Sequence, residues 1–353
     1  MLHRVQSSKQ APIPDVIRLD SGLKFGSALP ITRRDVRDDY TRFIPGSISP
    51  FSLMTFIFWL ISRLPLRVLH AIGGALGLLA ARLPGRYGRR LVENFRHAYP
   101  DATDAMIAEA ARHTGRLIVE MPYFWSRKSI TVRTDCFDDH LWPEMDRLQS
   151  QGNGLILTTP HLGCFEILPL SHARLRPITC LFKPPHQPWL REFVERMRTR
   201  PNLAMAPATP RGVRMLVKAL KRGEALGILP DQVPSGGEGT WAPFYGKPAY
   251  SMTLVHRLQQ LTGAPAVMIY AQRLPHGQGY RGHVRVLGDN GRLPDDPAAA
   301  SATINAAIED LIEIDPTQYL WGYNRYKQPG GAEPPPATMA SAPVSPDTTT
   351  QNH

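Results

Sequence analysis

The stretch that most constrains this chain is 154–166, GLILTTPHLGCFE. Six uncharged residues, Gly154 to Thr159, run up to a proline, a length and composition that suit a strand buried on both faces of a sheet. Pro160 has no N–H to give to a strand ladder, so the strand ends there. His161 then stands at the strand exit, where ligand groups gather in open α/β sheets. A tight turn at Leu162–Gly163 leads into a helix expected over Cys164–Leu175, with Glu166 in its first turn. Strand, turn and helix in this order are expected to fold the Glu166 carboxylate back onto the His161 imidazole. A carboxylate on one ring nitrogen fixes the tautomer and stabilises the imidazolium. The other nitrogen is then left to take a proton from a hydroxyl.

The spacing alone carries little weight. With 12 histidines and 30 acidic residues in 353 positions, about one histidine with a carboxylate five residues on is expected by chance, and His161 is that one. Its placement at a strand exit, and the pattern that follows, carry the argument.

Downstream the chain alternates. Strands are expected at 177–184, 203–208 and 225–232, and helices at 189–200, 210–223 and 251–263. Residues 264–274 and 280–288 read as two paired strands, and 297–314 as a closing helix. This alternation predicts an α/β fold, with a mixed, mostly parallel central sheet and helices on both faces. Asp231 and Gln232 end one predicted strand and Lys183 another, so all three should emerge on the edge that carries His161. Each alone reads as a solvent contact at a strand end. Together they form a polar site over one crevice.

Upstream, Phe51–Ile61 is apolar almost all round but about eleven residues long, and Ala71–Leu83 resumes after an interruption carrying Arg63 and Arg67. A membrane span needs roughly 20 apolar residues. The block therefore reads as one short or tilted anchor or as two helices lying in the interface, with a buried core helix as the bland reading. Gly73 and Gly77 form a G-x-x-x-G pair that is too weak to argue dimerisation. A basic amphipathic helix is expected over Arg86–Tyr99 and another helix over Asp101–Met121, capped by Asp101 or Thr103. The resulting organisation is a polar extension at 1–50, an apolar anchor with basic helices at 51–150, and a catalytic core at 151–327 that shares one domain with it. A Pro/Ala/Thr-rich tail at 328–353 is expected to be disordered.

A net charge of +11 calls for an anionic partner: nucleic acid, lipid headgroups or an acidic carrier protein. The predicted helices 189–200 and 210–223, with Arg191, Arg196, Arg211 and Arg214, present a surface for one. Nucleic acid is disfavoured, because the arginines are spread over many elements, aromatic–basic interleaving is absent and an apolar block precedes the domain. Cys136, Cys164 and Cys180 show no pairing or zinc spacing and read as reduced thiols on the cytoplasmic side. Cys164 is better read as a small buried hydrophobe than as a nucleophile. Gly277–Gly282 matches G-x-G-x-x-G as a string, but it lies between two strands and opens no helix, so it is a hairpin turn.

Taken in order, VENFRHAYPDAT (92–103), HLGCFE (161–166), LFKP (181–184), LPDQ (229–232), WAPFYGKPAYS (241–251) and PTQYLWGYNRYK (316–327) resemble the late lauroyl/myristoyl-type acyltransferases of lipid A assembly, within the lysophospholipid acyltransferase superfamily. The resemblance covers about 51–327. It implies a bacterial enzyme on the cytoplasmic face of the inner membrane, with His161 as general base and Glu166 as its partner. It also implies an acyl thioester donor, usually acyl carrier protein with acyl-CoA as the alternative, a lipid hydroxyl as acceptor, and no metal or cofactor. Lys183 stands where arginine is common, Cys164 and Phe165 replace Asn and Trp, and GYNRY stands where His-Arg-Arg is common, with Arg325 still matched. On this reading Lys183, Asp231, Gln232 and Arg325 bind the acceptor or its headgroup, and backbone N–H groups at the turn around Gly163, or a nearby cation, receive the oxyanion. Another acceptor, such as a lysophospholipid, a glycolipid or a polyene-type lipid, stays open within the same chemistry.

Overall fold

The computed structural model describes residues 50–127, 135–184 and 200–340, with positions 187, 191, 194 and 198 between them. The expectations for 1–49, for the 341–353 end of the tail and for Arg196 lie outside the described residues. The helices are α1 (Pro50–Arg63), α2 (Leu66–Arg82), α3 (Arg86–Ala98), α4 (Asp104–Trp125) and α5 (Asp135–Gln149), then α6 (Ile167–Ala173), α7 (Pro210–Lys221), α8 (Leu254–Thr262), α9 (Pro297–Ile312) and α10 (Ala337–Ala340). The strands are β1 (Leu155–Thr158), β2 (Ile178–Phe182), β3 (Leu203–Pro207), β4 (Ala225–Ile228), β5 (Gly239–Phe244), β6 (Lys247–Met252), β7 (Ala266–Arg273) and β8 (Tyr280–Val286).

Six strands form one sheet in the order β3-β2-β4-β1-β7-β8; β8 alone runs antiparallel. The mixed, mostly parallel sheet expected from the alternation is present. The inner strands β1, β4 and β7 have no polar face because both sides are covered, whereas edge strand β8 exposes Arg281 and Arg285. Ile156, Leu226, Ile228, Met268 and Tyr270 point into a core with α3, α7, α8 and α9. Leu155, Leu157, Ala225, Val267 and Ile269 point the other way, into a core with α2, α5 and α6. The period-2 alternation of strand side chains makes these two cores, one on each face. Residues 241–251 form the β5–β6 hairpin around Tyr245–Gly246, a separate two-stranded sheet. Because β6 runs to Met252, α8 starts at Leu254, three residues later than the pattern predicts.

The amino-terminal apolar block forms two helices, α1 and α2, that bend by 119°. Among the described residues no single helix is long and apolar enough to cross a membrane. The glycine pair Gly73 and Gly77 serves an internal crossing: a Cβ on Gly77 would lie 2.2 Å from the Ala111 carbonyl, and one on Gly115 would lie 1.9 Å from the Gly73 carbonyl. Absence of side chains there lets α2 seat directly on α4. The opposite side of the pair stays apolar, with Phe56, Trp59, Leu60, Ile72, Leu76 and Leu79 between 43% and 56% exposed. α4 begins three residues later than predicted, with Thr103 as the cap: its side chain accepts the Met106 N–H.

The tail departs from expectation. Residues 328–340 are placed, with the Trp241 indole donating to the Glu333 carbonyl at 2.8 Å and α10 resting on β6. Composition alone hides this, because the partner of the segment is an aromatic on β5 rather than anything in the tail itself.

Candidate active site

β1 and β4 are parallel neighbours in register, with Thr158 opposite Ile228. Each strand runs into the same local sequence logic, one residue and then a proline that ends the ladder: Thr159–Pro160 and Leu229–Pro230. His161 and Asp231 therefore sit at equal offsets beyond paired residues and meet. Asp231 Oδ1 lies 2.8 Å from His161 Nδ1, and Oδ2 accepts the His161 backbone N–H, also at 2.8 Å. The chain leaves β1 through α6 on one face of the sheet and leaves β4 toward α8 on the other. The crevice thus lies where the connections diverge, the expected ligand position in an open α/β sheet.

Burial pushes the Asp231 carboxyl up, but the His161 charge, two hydrogen bonds from His161 and the more distant Arg325 outweigh it. The carboxyl is held below the usual carboxylate range, so it is ionised and accepts the Nδ1 proton. Nε2 is left as the basic nitrogen, with the Gln232 side-chain amide 3.1 Å away. The Tyr319 hydroxyl also donates to Asp231; burial first, then the Asp231 charge, pushes that hydroxyl well up and keeps it a donor. The Leu320 N–H bonds the His161 carbonyl at 3.1 Å. Tyr319 belongs to the PTQYLWGYNRYK stretch but was not singled out by sequence; its signal lies only in the pairing of that stretch with the turn.

Glu166 does not orient His161. Gly163, in the left-handed region at φ +57°, turns the chain down onto β7, where Gly163 bridges Ala271 before α6 begins. The Glu166 carboxylate consequently faces a different group, accepting the Trp125 indole N–H at 2.9 Å and a bond from Arg198. The ring beside His161 is Phe165, edge-on at 4.9 Å between centroids.

The turn does not offer an oxyanion site on Gly163 either. Its N–H donates to the Gln318 carbonyl at 3.1 Å, while those of Leu162 and Cys164 go to Pro160 and Ala271. Arg325 is likewise corrected. It is 2% exposed and donates to Tyr250 O, Ser251 Oγ and Asn305 Oδ1, so it builds the fold and acts on Asp231 only through its charge. Lys183 is exposed just beyond β2, on the expected edge, and Gln232 is exposed beside His161. Arg211 and Arg214 lie exposed on the outer face of α7, and Arg191 is exposed as well.

Behind the turn is a buried ionic cluster. Glu120 on α4 accepts from His70, from Tyr280 and twice from Arg273, all at 2.7 Å. Arg273 also donates to the Gly163 carbonyl at 2.7 Å. Cys164 is fully buried against this cluster, and burial first, then the Glu120 charge, raises its thiol well above the ordinary value, the setting of a small buried hydrophobe.

An apolar cleft opens beside the pair. It encloses about 680 Å³, its open mouth included, between α6 and the sheet. Leu157, Ile178, Cys180, Gly227 and Ile269 form its floor, Leu168 and Leu170 its roof, and Thr159, Glu166 and Arg198 its polar rim. Phe165 is shared between the cleft and His161.

An imidazole held in one tautomer beside an apolar cleft is the equipment of an enzyme that moves an acyl group onto a hydroxyl. The comparisons agree. A family model for bacterial lipid A biosynthesis acyltransferases matches residues 43–328, and the chain belongs to that family; it is an O-acyltransferase. It is 29% identical over 277 residues to the lipid A biosynthesis palmitoleoyltransferase of Escherichia coli K12, covering 77% of this chain and 89% of that one. It is 25% identical over 283 residues to the lauroyltransferase of the same organism, with the same coverage. A Haemophilus influenzae lipid A biosynthesis acyltransferase is 25% identical over 311 residues, 81% of this chain and 94% of the relative.

Proposed function

We propose that this enzyme transfers a fatty acyl chain from an acyl thioester, carried by acyl carrier protein, to a hydroxyl of a lipid A precursor. The observation that carries the reading is the His161–Asp231 pair beside the apolar cleft, with Phe165 shared between the two, in a chain of this family. The acceptor hydroxyl approaches His161 Nε2, which takes its proton as the oxygen attacks the thioester carbonyl. Asp231 stabilises the imidazolium that forms. The negative charge on the carbonyl oxygen meets the Gln232 amide, since the Leu162, Gly163 and Cys164 N–H groups are engaged. Collapse breaks the C–S bond, and the imidazolium returns its proton to the thiolate.

The acyl chain lies in the cleft, where each buried methylene contributes about 0.8 kcal/mol. The exposed apolar face of α1 and α2 rests on the bilayer, with Arg63 and Arg67 toward headgroups, on the cytoplasmic side of the bacterial inner membrane. The basic outer face of α7, with Arg211 and Arg214, receives the acidic carrier.

Membranes containing the protein, incubated with charged acyl carrier protein and a lipid A precursor, test this by mass spectrometry. One added acyl chain with the parent enzyme and none with His161→Ala supports the reading. Addition to a lysophospholipid or glycolipid instead keeps the mechanism and replaces the acceptor. No addition to any lipid refutes it.

A further inference from the structure

Over the two central strands the cleft has an inner end, and a glycine marks it. On the two central strands the lining reaches Leu157 and Gly227, paired in register, and does not include Leu155 or Ala225 one step deeper on the same face. Gly227 is also in register with Cys180 on β2. On β2 and β3 the lining runs one paired step deeper, to Ile178 and Leu203, so the row Cys180–Gly227–Leu157 closes the apolar space over the two central strands only, with its lowest point at the glycine.

Nothing in the backbone asks for glycine there. Gly227 is absent from the residues with positive φ and lies inside a regular parallel strand, where glycine costs about 0.5–1 kcal/mol relative to alanine. It is the one β4 residue that is not buried, although β4 is a central strand, because the open side is the cleft. A Cβ at this position would lie 2.6 Å from Cys180 Sγ, so the small thiol and the missing side chain share one hollow.

We propose that Gly227 and Cys180 together set the length of acyl chain the enzyme accepts, by holding the space for the terminal methylenes. This rests on the cleft being the acyl site. A methyl group added at Gly227 meets the Cys180 sulfur at 2.6 Å and pushes it toward the acyl space, which excludes the longest chains; removing that sulfur deepens the hollow and admits longer ones. In an apolar pocket one methylene changes selectivity by roughly 10–200-fold.

The test gives the full-length enzyme an equimolar mixture of acyl carrier protein thioesters of different chain lengths with a lipid A precursor, and reads the product profile by mass spectrometry. Gly227→Ala is expected to lower the ratio of long to short chains transferred at least about tenfold. Cys180→Ala is expected to shift the profile the other way, and the double variant, which moves the volume across the hollow, to return it toward the parent. If Gly227→Ala fails to fold, Cys180→Ala still decides, since it only removes a sulfur. Transfer by the parent with a profile that neither Cys180→Ala nor Gly227→Ala alters overturns this proposal alone. No transfer by the parent from any thioester overturns the acyl-site reading and this proposal with it.

Discussion

Asp231 grips His161 at two points, its imidazole Nδ1 and its backbone N–H, each at 2.8 Å. Ring orientation and chain position are fixed by the same carboxylate. Nε2 consequently faces the crevice with the Gln232 amide 3.1 Å away. In the proposed mechanism one hydrogen of the Gln232 amide faces His161 Nε2 and the other is offered to the developing oxyanion. Gln232→Ala should lower kcat by about 10²-fold, with folding intact because the side chain is exposed. An unchanged kcat assigns the oxyanion to another donor.

Gly163 carries the turn that separates His161 from Glu166. Its φ of +57° disfavours any side chain, and a Cβ there would meet the Ala271 carbonyl at 2.1 Å. Left-handed backbone alone costs a non-glycine residue about 1–2 kcal/mol, and the clash adds to it. Gly163→Ala should therefore destabilise the protein by at least about 2 kcal/mol in chemical denaturation. A loss below about 0.5 kcal/mol shows that the turn relaxes freely and that the geometry derived from it is wrong.

Acid should weaken the fold through its buried neutral histidines. Burial, then Arg273 and Arg116, holds His113 down at about 2, and burial, then Arg176, holds His172 down at about 4. Both are neutral in the folded protein at pH 5 to 7, whereas in the unfolded chain they bind protons below the ordinary 6.5. The unfolded state then holds more protons, so stability falls as pH drops from about 6.5, by up to about 1.4 kcal/mol per pH unit for each histidine. Asp231 and Glu120 are depressed carboxylates, despite burial, through His161 and Arg273 respectively. Their stabilisation is present above the unfolded carboxylate value and is lost as pH falls through their lower folded values. Urea midpoints at pH 7.5, 6 and 5 should fall in that order; equal midpoints contradict the buried neutral histidines.

The exposed face of α2 gives a membrane prediction. Leu76 is 55% and Leu79 56% exposed, with no charge between them. Burying a leucine side chain contributes about 1.5–3 kcal/mol, so losing both should weaken binding well over tenfold. Leu76→Glu/Leu79→Glu is expected to release the protein from anionic vesicles in flotation, with thermal stability little changed. Retained flotation places the membrane contact elsewhere.

Much of this molecule was legible in its sequence, and the reasons differ by region. Apolar runs bounded by glycine and proline gave the strands, because a parallel sheet buried on both faces needs continuous hydrophobic segments. Thr159–Pro160–His161 and Leu229–Pro230–Asp231 even held the central contact: equal offsets past paired strands place His161 against Asp231. Reading that required knowing that β1 and β4 are neighbours in register, which is a tertiary fact. The five-residue spacing to Glu166 misled because a left-handed glycine lies within it and redirects the chain. Arg325 looked like a binding group from its motif, yet its partners, Ser251 and Asn305, come from distant segments that no local pattern connects. The cleft was invisible for the same reason, since its floor is assembled from four strands.

The central claim is that Asp231, not Glu166, orients the catalytic histidine, and one comparison tests it directly: single-turnover acyl transfer by Asp231→Asn and Glu166→Gln beside His161→Ala. An asparagine at 231 donates to Nδ1 through its amide and moves the imidazole proton to Nε2, removing the base. Asp231→Asn should therefore lose about 10³- to 10⁴-fold in kcat, close to His161→Ala. Glu166→Gln, which touches Arg198 and Trp125 at the cleft rim, should lose less and express it mainly in KM for the acyl donor. A Glu166→Gln enzyme as inactive as His161→Ala, beside an Asp231→Asn enzyme that still turns over, would contradict the account.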